Sequence, residues 1–227
     1  MNDNIAIGIM TSINLRSRYM ACKDTWTKEF DNVFFFGGDA EDENLIRLPG
    51  IGEDYSSAFM KQQLGLKYMF EKNNEFDWFS MNGCDHMLFK KEVMETLKAF
   101  DRNKDILIGE VYKKIIIDGI ETNLFAGGGS FFMSNSLMKK IYPKIEEFNK
   151  HWIEITSPVC EGSNVSYDWA DVAIAYIVKK YTGVDPTYTT GMYSQHPEFY
   201  KEEIMFKPLS FHYIKPSEME RIYQEFR

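Results

Sequence analysis

The stretch from Ile5 to Met10 is an unbroken apolar run of strand length, and Thr11, Ser12 and Asn14 mark the turn that ends it. Behind that turn Tyr19, Cys22, Trp26 and Phe30 recur at i, i+3, i+7 and i+11, the stripe of an amphipathic helix. A second apolar run, Val33 to Phe36, leads into Gly37-Gly38-Asp39. Strand, helix and strand in this order make a β-α-β unit, which implies parallel strands, a right-handed crossover and a crevice at the C-terminal strand ends. Thr11, Arg16, Arg18 and Asp39 are expected to line that crevice.

The acids from Asp39 to Glu43 and the Pro49-Gly50 pair read as surface loop, with Leu45 to Leu48 a short strand. Ser56 or Ser57 is placed to cap a helix carrying Met60, Leu64 and Tyr68 on one face. From Asp77 to Leu88 an apolar strand-like run ends in a small residue and a carboxylate, and helix-forming residues follow from Lys90. Asp85 should therefore sit at the C-terminal lip of a buried strand, where open α/β sheets bind ligands. Beside Cys84 and His86 it has two readings: a ligand to a hard cation such as Mg²⁺ or Mn²⁺, or a cap for the following helix. A helix through Val93, Leu97 and Phe100 and a strand over Asp105 to Gly109 continue the alternation that signals an α/β sheet.

The pattern then changes. Lys113 to Ile117, Asp118-Gly119 and Ile120 to Leu124 read as a hairpin, because Asp-Gly supplies the positive φ angles of a type I′ turn. Gly127, Gly128 and Gly129 follow, either as a turn before a strand or as backbone that a ligand approaches closely. A helix from about Leu137, interrupted near Pro143, carries Ile145, Phe148 and Trp152, and a loop spans Thr156 to Ser166. Ile174, Ile177, Val178 and Tyr181 make the next helical stripe, with Asp168 and Asp171 in its first turn. These two acids fit a cap and an N3 acid favoured by the helix dipole; one of them also fits a general base at the mouth of a cleft. His86, His151, His196 and His212 each admit a structural or a ligand role.

With 44% hydrophobic and 15% aromatic residues, the 227-residue chain can bury the core of one large domain or two tightly joined lobes. A net charge of −8 argues against nonspecific nucleic-acid binding, so an anionic ligand must be met by local positive charge or a metal. Cys22, Cys84 and Cys160 lack metal-finger spacing, and no stretch reads as a signal peptide or a membrane span, which predicts a reduced, cytoplasmic protein.

Thr11 with Arg16-Ser17-Arg18 and Thr25-Trp26, the strand ending at Asp39, the strand before Asp85, the triple glycine, Asp171 and the segment Gly191 to His196 come in an order and spacing that resemble the Fringe-like β-1,3-glycosyltransferases of glycosyltransferase family 31. The resemblance covers most of the chain. It implies a GT-A fold of α/β class: a mostly parallel central sheet flanked by helices, with a smaller antiparallel, acceptor-binding part. One domain over residues 1–227 is implied, with a nucleotide-sugar half over about 1–110 and an acceptor half over about 111–227.

The activity implied is inverting, metal-dependent transfer from a UDP-sugar to a hydroxyl of a glycan or glycoprotein, with Asp171 as general base and Asp168 as the alternative base or an acceptor contact. The family's strand ends in Asp-Asp-Asp; here the corresponding positions are Gly83, Cys84 and Asp85. Asp85 is thus the surviving metal acid, and His196, with His212 in reserve, is the implied second ligand. An Asp-His pair tilts the choice to Mn²⁺ over Mg²⁺. Thr11, Arg16, Arg18 and Asp39 would build the uridine pocket, Lys61 would lie near the diphosphate, and Gly128 and Gly129 would bring backbone close to donor or acceptor sugar. Two other classes stay open: a sugar-nucleotide-binding protein of the same fold with weakened catalysis, and a nucleotidyltransferase, which needs further metal-bridging carboxylates.

Overall fold

The computed structural model describes residues 4–157, 165–200 and 207–227, with the backbone alone at 126–129. Strands β1 (Ile5–Met10), β2 (Val33–Phe36) and β3 (Trp78–Gly83) are parallel, with β1 in the middle. Met10 pairs with both Phe36 and Gly83, so the three strands end level with one another. The crossover after β1 contains helix α1 (Arg16–Asp24), and the one after β2 contains α2 (Ala58–Lys72).

The expected stripe is buried, but not on one helix. α1 stops at Asp24, the Thr25 hydroxyl donates to the Ala21 carbonyl at 2.7 Å, and Trp26 to Glu29 continue as a 3-10 turn. Ser57 holds the N-cap position of α2 but makes no side-chain capping bond; that bond belongs to the 3-10 turn just before it, where the Asp54 carboxylate accepts from the Ser57 amide at 3.0 Å. Leu45 to Leu48 contributes a single parallel bridge, between Phe36 and Ile46, instead of a strand.

Beyond β3 a two-residue strand β4 (Met87–Leu88) precedes α3 (Lys90–Leu97). The strand expected over Asp105 to Gly109 and the first arm of the hairpin are one element, β5 (Leu107–Ile117), kept continuous by register shifts after Gly109 and Val111. Asp118 (φ 47°) and Gly119 (φ 74°) turn it back into β6 (Ile120–Ser134), which pairs antiparallel with both β5 and β3. A short strand β7 (Thr187–Tyr188) completes the sheet order β2-β1-β3-β6-β5-β7.

Pro143 breaks the following helix into α4 (Asn135–Ile141) and α5 (Ile145–Thr156), and α6 (Ala170–Thr182) ends on Gly183 in the left-handed conformation. Strand β8 (Ser210–Phe211) pairs antiparallel with β4, and α7 (Pro216–Phe226) closes the fold.

Both faces of the sheet are covered. Ile5, Ile7 and Ile9 pack with residues of α1, α3 and α7, whereas Ala6, Phe79 and Met81 pack with residues of α2, α4, α5 and α6. Burial on two sides is why β1 lacks polar alternation. It also brings the layers close: a Cβ at Gly8 would lie 2.1 Å from the Met81 sulfur.

Candidate active site

Because β1, β2 and β3 end level, the residues just past them gather at one edge, above a cleft of about 860 Å³. Thr11 follows β1 and Cys84, Asp85 and His86 follow β3; all four line the cleft, as do Asp168 and Asp171. A cavity of about 710 Å³ at the opposite ends of β1 and β3, beside Asn4, Asp77 and Lys90, contains none of these groups.

Asp85 is the hub. Its Oδ2 accepts from Arg18 at 3.3 Å, while its Oδ1 lies 3.3 Å from His212 Nε2 and 3.5 Å from His86 Nδ1. It does not cap α3, whose N-cap is Phe89. Burial alone would raise the carboxyl pKa, yet hydrogen bonding and charge from His212 and His86 outweigh it and hold the group far below the usual carboxylate range. One donor atom from each of Asp85, His86 and His212 lies within 4.8 Å of the others, which fits a single cation.

His212 reaches this position through long-range pairing. Phe211 pairs with Met87, and the Ile214 amide donates to the Asp85 carbonyl at 3.0 Å, so the chain on both sides of His212 is tied to the chain around Asp85. Its Nδ1 lies 3.3 Å from the Ser194 carbonyl. With no cation bound Nε2 carries the proton that it donates to Asp85; donation from Nδ1 to Ser194 would instead free the Nε2 lone pair, the tautomer that a metal ligand needs. His196 is not in this group; its Nε2 faces Glu218 at 3.7 Å instead.

Gly83 and Cys84, where the family carries acids, have local explanations. The Gly83 amide donates to His86 Nδ1 at 2.9 Å, and a Cβ at position 83 would lie 2.8 Å from Asp85 Oδ1 and 3.0 Å from His86 Nδ1. The Asp85 carboxylate and, slightly farther off, the His86 imidazole therefore occupy space that a side chain at 83 would need. Cys84 is buried, burial pushes its thiol up to about 11, and its sulfur is not part of the group formed by Asp85, His86 and His212.

Of the expected donor contacts, Thr11, Arg18 and Lys61 line the cleft. Lys61 is almost fully buried; its nearest carboxylate, Glu53, is 4.0 Å away, and burial lowers its pKa. Glu53 itself is committed to backbone: its Oε1 accepts from Gly38 at 2.9 Å and Ala40 at 3.2 Å, and its Oε2 from Ile13 at 3.2 Å. This tie between the loops after β1 and β2 leaves no separate signal in the sequence. Arg16 and Asp39 are engaged away from the cleft, Arg16 with Asp42 at 2.8 Å and Asp39 with Arg47 at 2.7 Å. Gly128 and Gly129 fall within β6, but their surroundings lie outside the described residues.

The start of α6 supplies the acids. The N-cap is Trp169, so Asp171 lies in the first turn and Asp168 just outside the helix, instead of both lying in that turn. Asp171 Oδ1 accepts from the Val172 amide at 2.8 Å. Asp168 Oδ1 is buried without a hydrogen-bond partner among the described residues, a state that costs about 1–3 kcal/mol unless a ligand supplies a donor. Trp169, 41% exposed, and Tyr55, 79% exposed, line the same cleft. Partial desolvation, then the charges of Asp168 and Asp171, push the Tyr55 phenol up.

A doubly covered, mostly parallel sheet with a cation-competent carboxylate at the lip of its third strand is the architecture of GT-A glycosyltransferases. The chain belongs to the Fringe-like family, whose sequence profile matches residues 1–222. No curated protein matches it significantly in sequence. Among solved structures it is similar to the galactosyltransferase LgtC bound to donor and acceptor sugar analogues (TM-score 0.54, 9% identity, 97% of this chain and 96% of that one). It is also similar to a glycosyltransferase involved in glycosylation of the major capsid of PBCV-1 (TM-score 0.52, 13% identity, 96% and 99%). A third similar structure is GlyE of Streptococcus pneumoniae TIGR4 (TM-score 0.53, 11% identity, 97% of this chain and 60% of that one). At these identities the similarity shows a shared fold.

Proposed function

We propose that the chain transfers a sugar from a UDP-sugar to an acceptor hydroxyl with inversion at the anomeric carbon. The observation that carries this reading is the convergence, in one cleft, of the Asp85-His86-His212 group and the acids at the start of α6. Asp85 and His212, with His86 as a third donor within reach, would hold a divalent cation, Mn²⁺ in preference to Mg²⁺ because imidazole suits it better. Bound there, such a cation supplies positive charge to a departing diphosphate.

The chain's own residues would do the rest. Arg18 and Lys61 are cations inside an acidic protein and face the same cleft, so they are the groups placed to meet an anionic donor. Asp171 would take the proton of the attacking hydroxyl, and its place in the first turn of α6 favours the ionised form. The unpaired oxygen of Asp168 would accept from a neighbouring hydroxyl of the acceptor, and Trp169 and Tyr55 would offer ring faces to a carbohydrate. A nucleotidyltransferase is less well supported, since Asp85 is the only carboxylate in the cation-competent group among the described residues.

The test is UDP release from a panel of UDP-sugars, with Mn²⁺ and with chelator, for the wild type and Asp85→Ala. Chelator-sensitive release that the variant loses is the expected result. Wild-type UDP binding without hydrolysis or transfer would favour the binding-protein reading.

A further inference from the structure

Tyr213 has a φ of 59°. For a bulky side chain this is a strained conformation, and glycine would occupy it without cost. The backbone has a reason to turn here: Phe211 is paired with Met87, and two residues beyond His212 the Ile214 amide already bonds to the Asp85 carbonyl. That explains a left-handed residue; it does not explain a tyrosine.

The ring supplies the missing reason. Its centroid lies 3.8 Å from that of His212 with the planes 21° apart, and His86 stacks on His212 at 4.1 Å, also at 21°. Two near-parallel rings this close to one imidazole cannot share a face, so His212 is sandwiched between His86 and Tyr213. Two motions of the imidazole remain, and both are opposed: tilting by the two flanking rings, and a flip about its bond by the Nδ1 contact to the Ser194 carbonyl. Tyr213 is still 53% exposed, lines the cleft and belongs to neither face of the hydrophobic core. Backbone strain kept at such a place is the pattern of a functional constraint.

We propose that Tyr213 is a positioning residue of the cation site: its ring, delivered by a left-handed backbone, clamps the His212 imidazole against His86 so that Nε2 stays directed at Asp85. This rests on the reading that Asp85 and His212 hold a divalent cation. The experiment is calorimetric titration of Mn²⁺ into the full chain, with and without UDP, alongside thermal unfolding, for the wild type, Tyr213→Gly and Tyr213→Phe. Tyr213→Gly relieves the backbone and should unfold at the same or a higher temperature, yet bind Mn²⁺ roughly 10-fold or more weakly, the size of loss that follows removal of an outer-shell partner. Tyr213→Phe keeps the ring and should match the wild type in both. A glycine variant with wild-type Mn²⁺ affinity overturns the proposal, as does one that loses affinity and thermal stability together, since a merely structural residue would do the same. Equal loss in the phenylalanine variant moves the role from the ring to the hydroxyl and also overturns it. If the wild type takes up no Mn²⁺, the cation reading itself fails, and the proposal with it.

Discussion

One oxygen of Asp85 lies 3.3 Å from Nε2 of His212, and the other lies 3.3 Å from the guanidinium of Arg18. The carboxylate thus joins a pair of imidazoles on one side to a fixed cation on the other. Asp85→Ala should reduce Mn²⁺-dependent UDP affinity by at least about 100-fold, beyond the loss typical of outer-shell changes. Calorimetry in Mn²⁺ and in chelator checks this. Equal affinities in the variant and the wild type would move the site elsewhere.

Cys84 sits where the family carries an acid, yet the thiol is buried and pushed up to about 11. Its thiolate is therefore scarce at neutral pH, and it should resist alkylation until the chain unfolds. Cys84→Ser should leave Mn²⁺ affinity within about threefold, because no ligand is removed. A large loss on that substitution would make the sulfur a ligand.

Restoring the family's acid at position 83 should damage the site. A Cβ there would meet Asp85 Oδ1 at 2.8 Å and His86 Nδ1 at 3.0 Å, an overpacking that typically costs about 1–3 kcal/mol. Gly83→Asp should therefore destabilise the wild type, and His86→Ala should relieve only the share owed to the imidazole, since the closer contact with Asp85 Oδ1 remains. A double-mutant cycle in urea measures the coupling; strict additivity would show that His86 and Gly83 are independent.

Much of the fold was legible because its signals are local. The run Ile5–Met10 is apolar throughout since β1 is covered on both faces, and Asp118-Gly119 takes the two positive φ angles that a type I′ turn needs. Asp85 falls at the strand end that its own neighbours announce. The choice between His196 and His212 is different in kind: it depends on β8 pairing with β4, and a two-residue strand carries no register information of its own. The ion pairs of Arg16 with Asp42 and Asp39 with Arg47 are illegible for a related reason, since each depends on how the loop after β2 folds back. Tyr213 left no signal at all, because neither its positive φ nor its stacking on His212 follows from residue type.

The loop after β2 should report on itself through acid stability. Asp42 accepts from the Asn44 amide and the Tyr19 hydroxyl, each at 2.8 Å, and these bonds bring its pKa down to about 2. A carboxyl whose pKa is lower folded than unfolded binds more protons in the unfolded chain. Its stabilisation is therefore present above the unfolded value of about 4 and is lost as pH falls toward 2. Urea unfolding from pH 5 down to pH 2.5 should give Asp42→Asn a shallower loss than the wild type. Parallel curves would mean that the unfolded chain holds this acid equally well.

The reaction itself is tested at the start of α6. Inversion requires the acceptor hydroxyl to approach the anomeric carbon from the face opposite the leaving UDP, with a carboxylate close enough to take its proton as the bond forms. Asp171 and Asp168 both line the cleft, but they differ: Asp171 is in the first turn, where the helix dipole favours its anion, whereas Asp168 lies before the helix with a buried oxygen that has no partner among the described residues. If Asp171 is the base, Asp171→Asn should keep UDP-sugar affinity and lose at least about 100-fold in kcat, within the range general-base removal typically costs. Asp168→Asn should mainly raise the acceptor KM, because the amide still accepts one hydrogen bond but carries no charge. The opposite assignment, with Asp168→Asn inactive and Asp171→Asn turning over normally, would exchange the two roles. Full activity in both variants would rule out a one-step displacement assisted by either carboxylate.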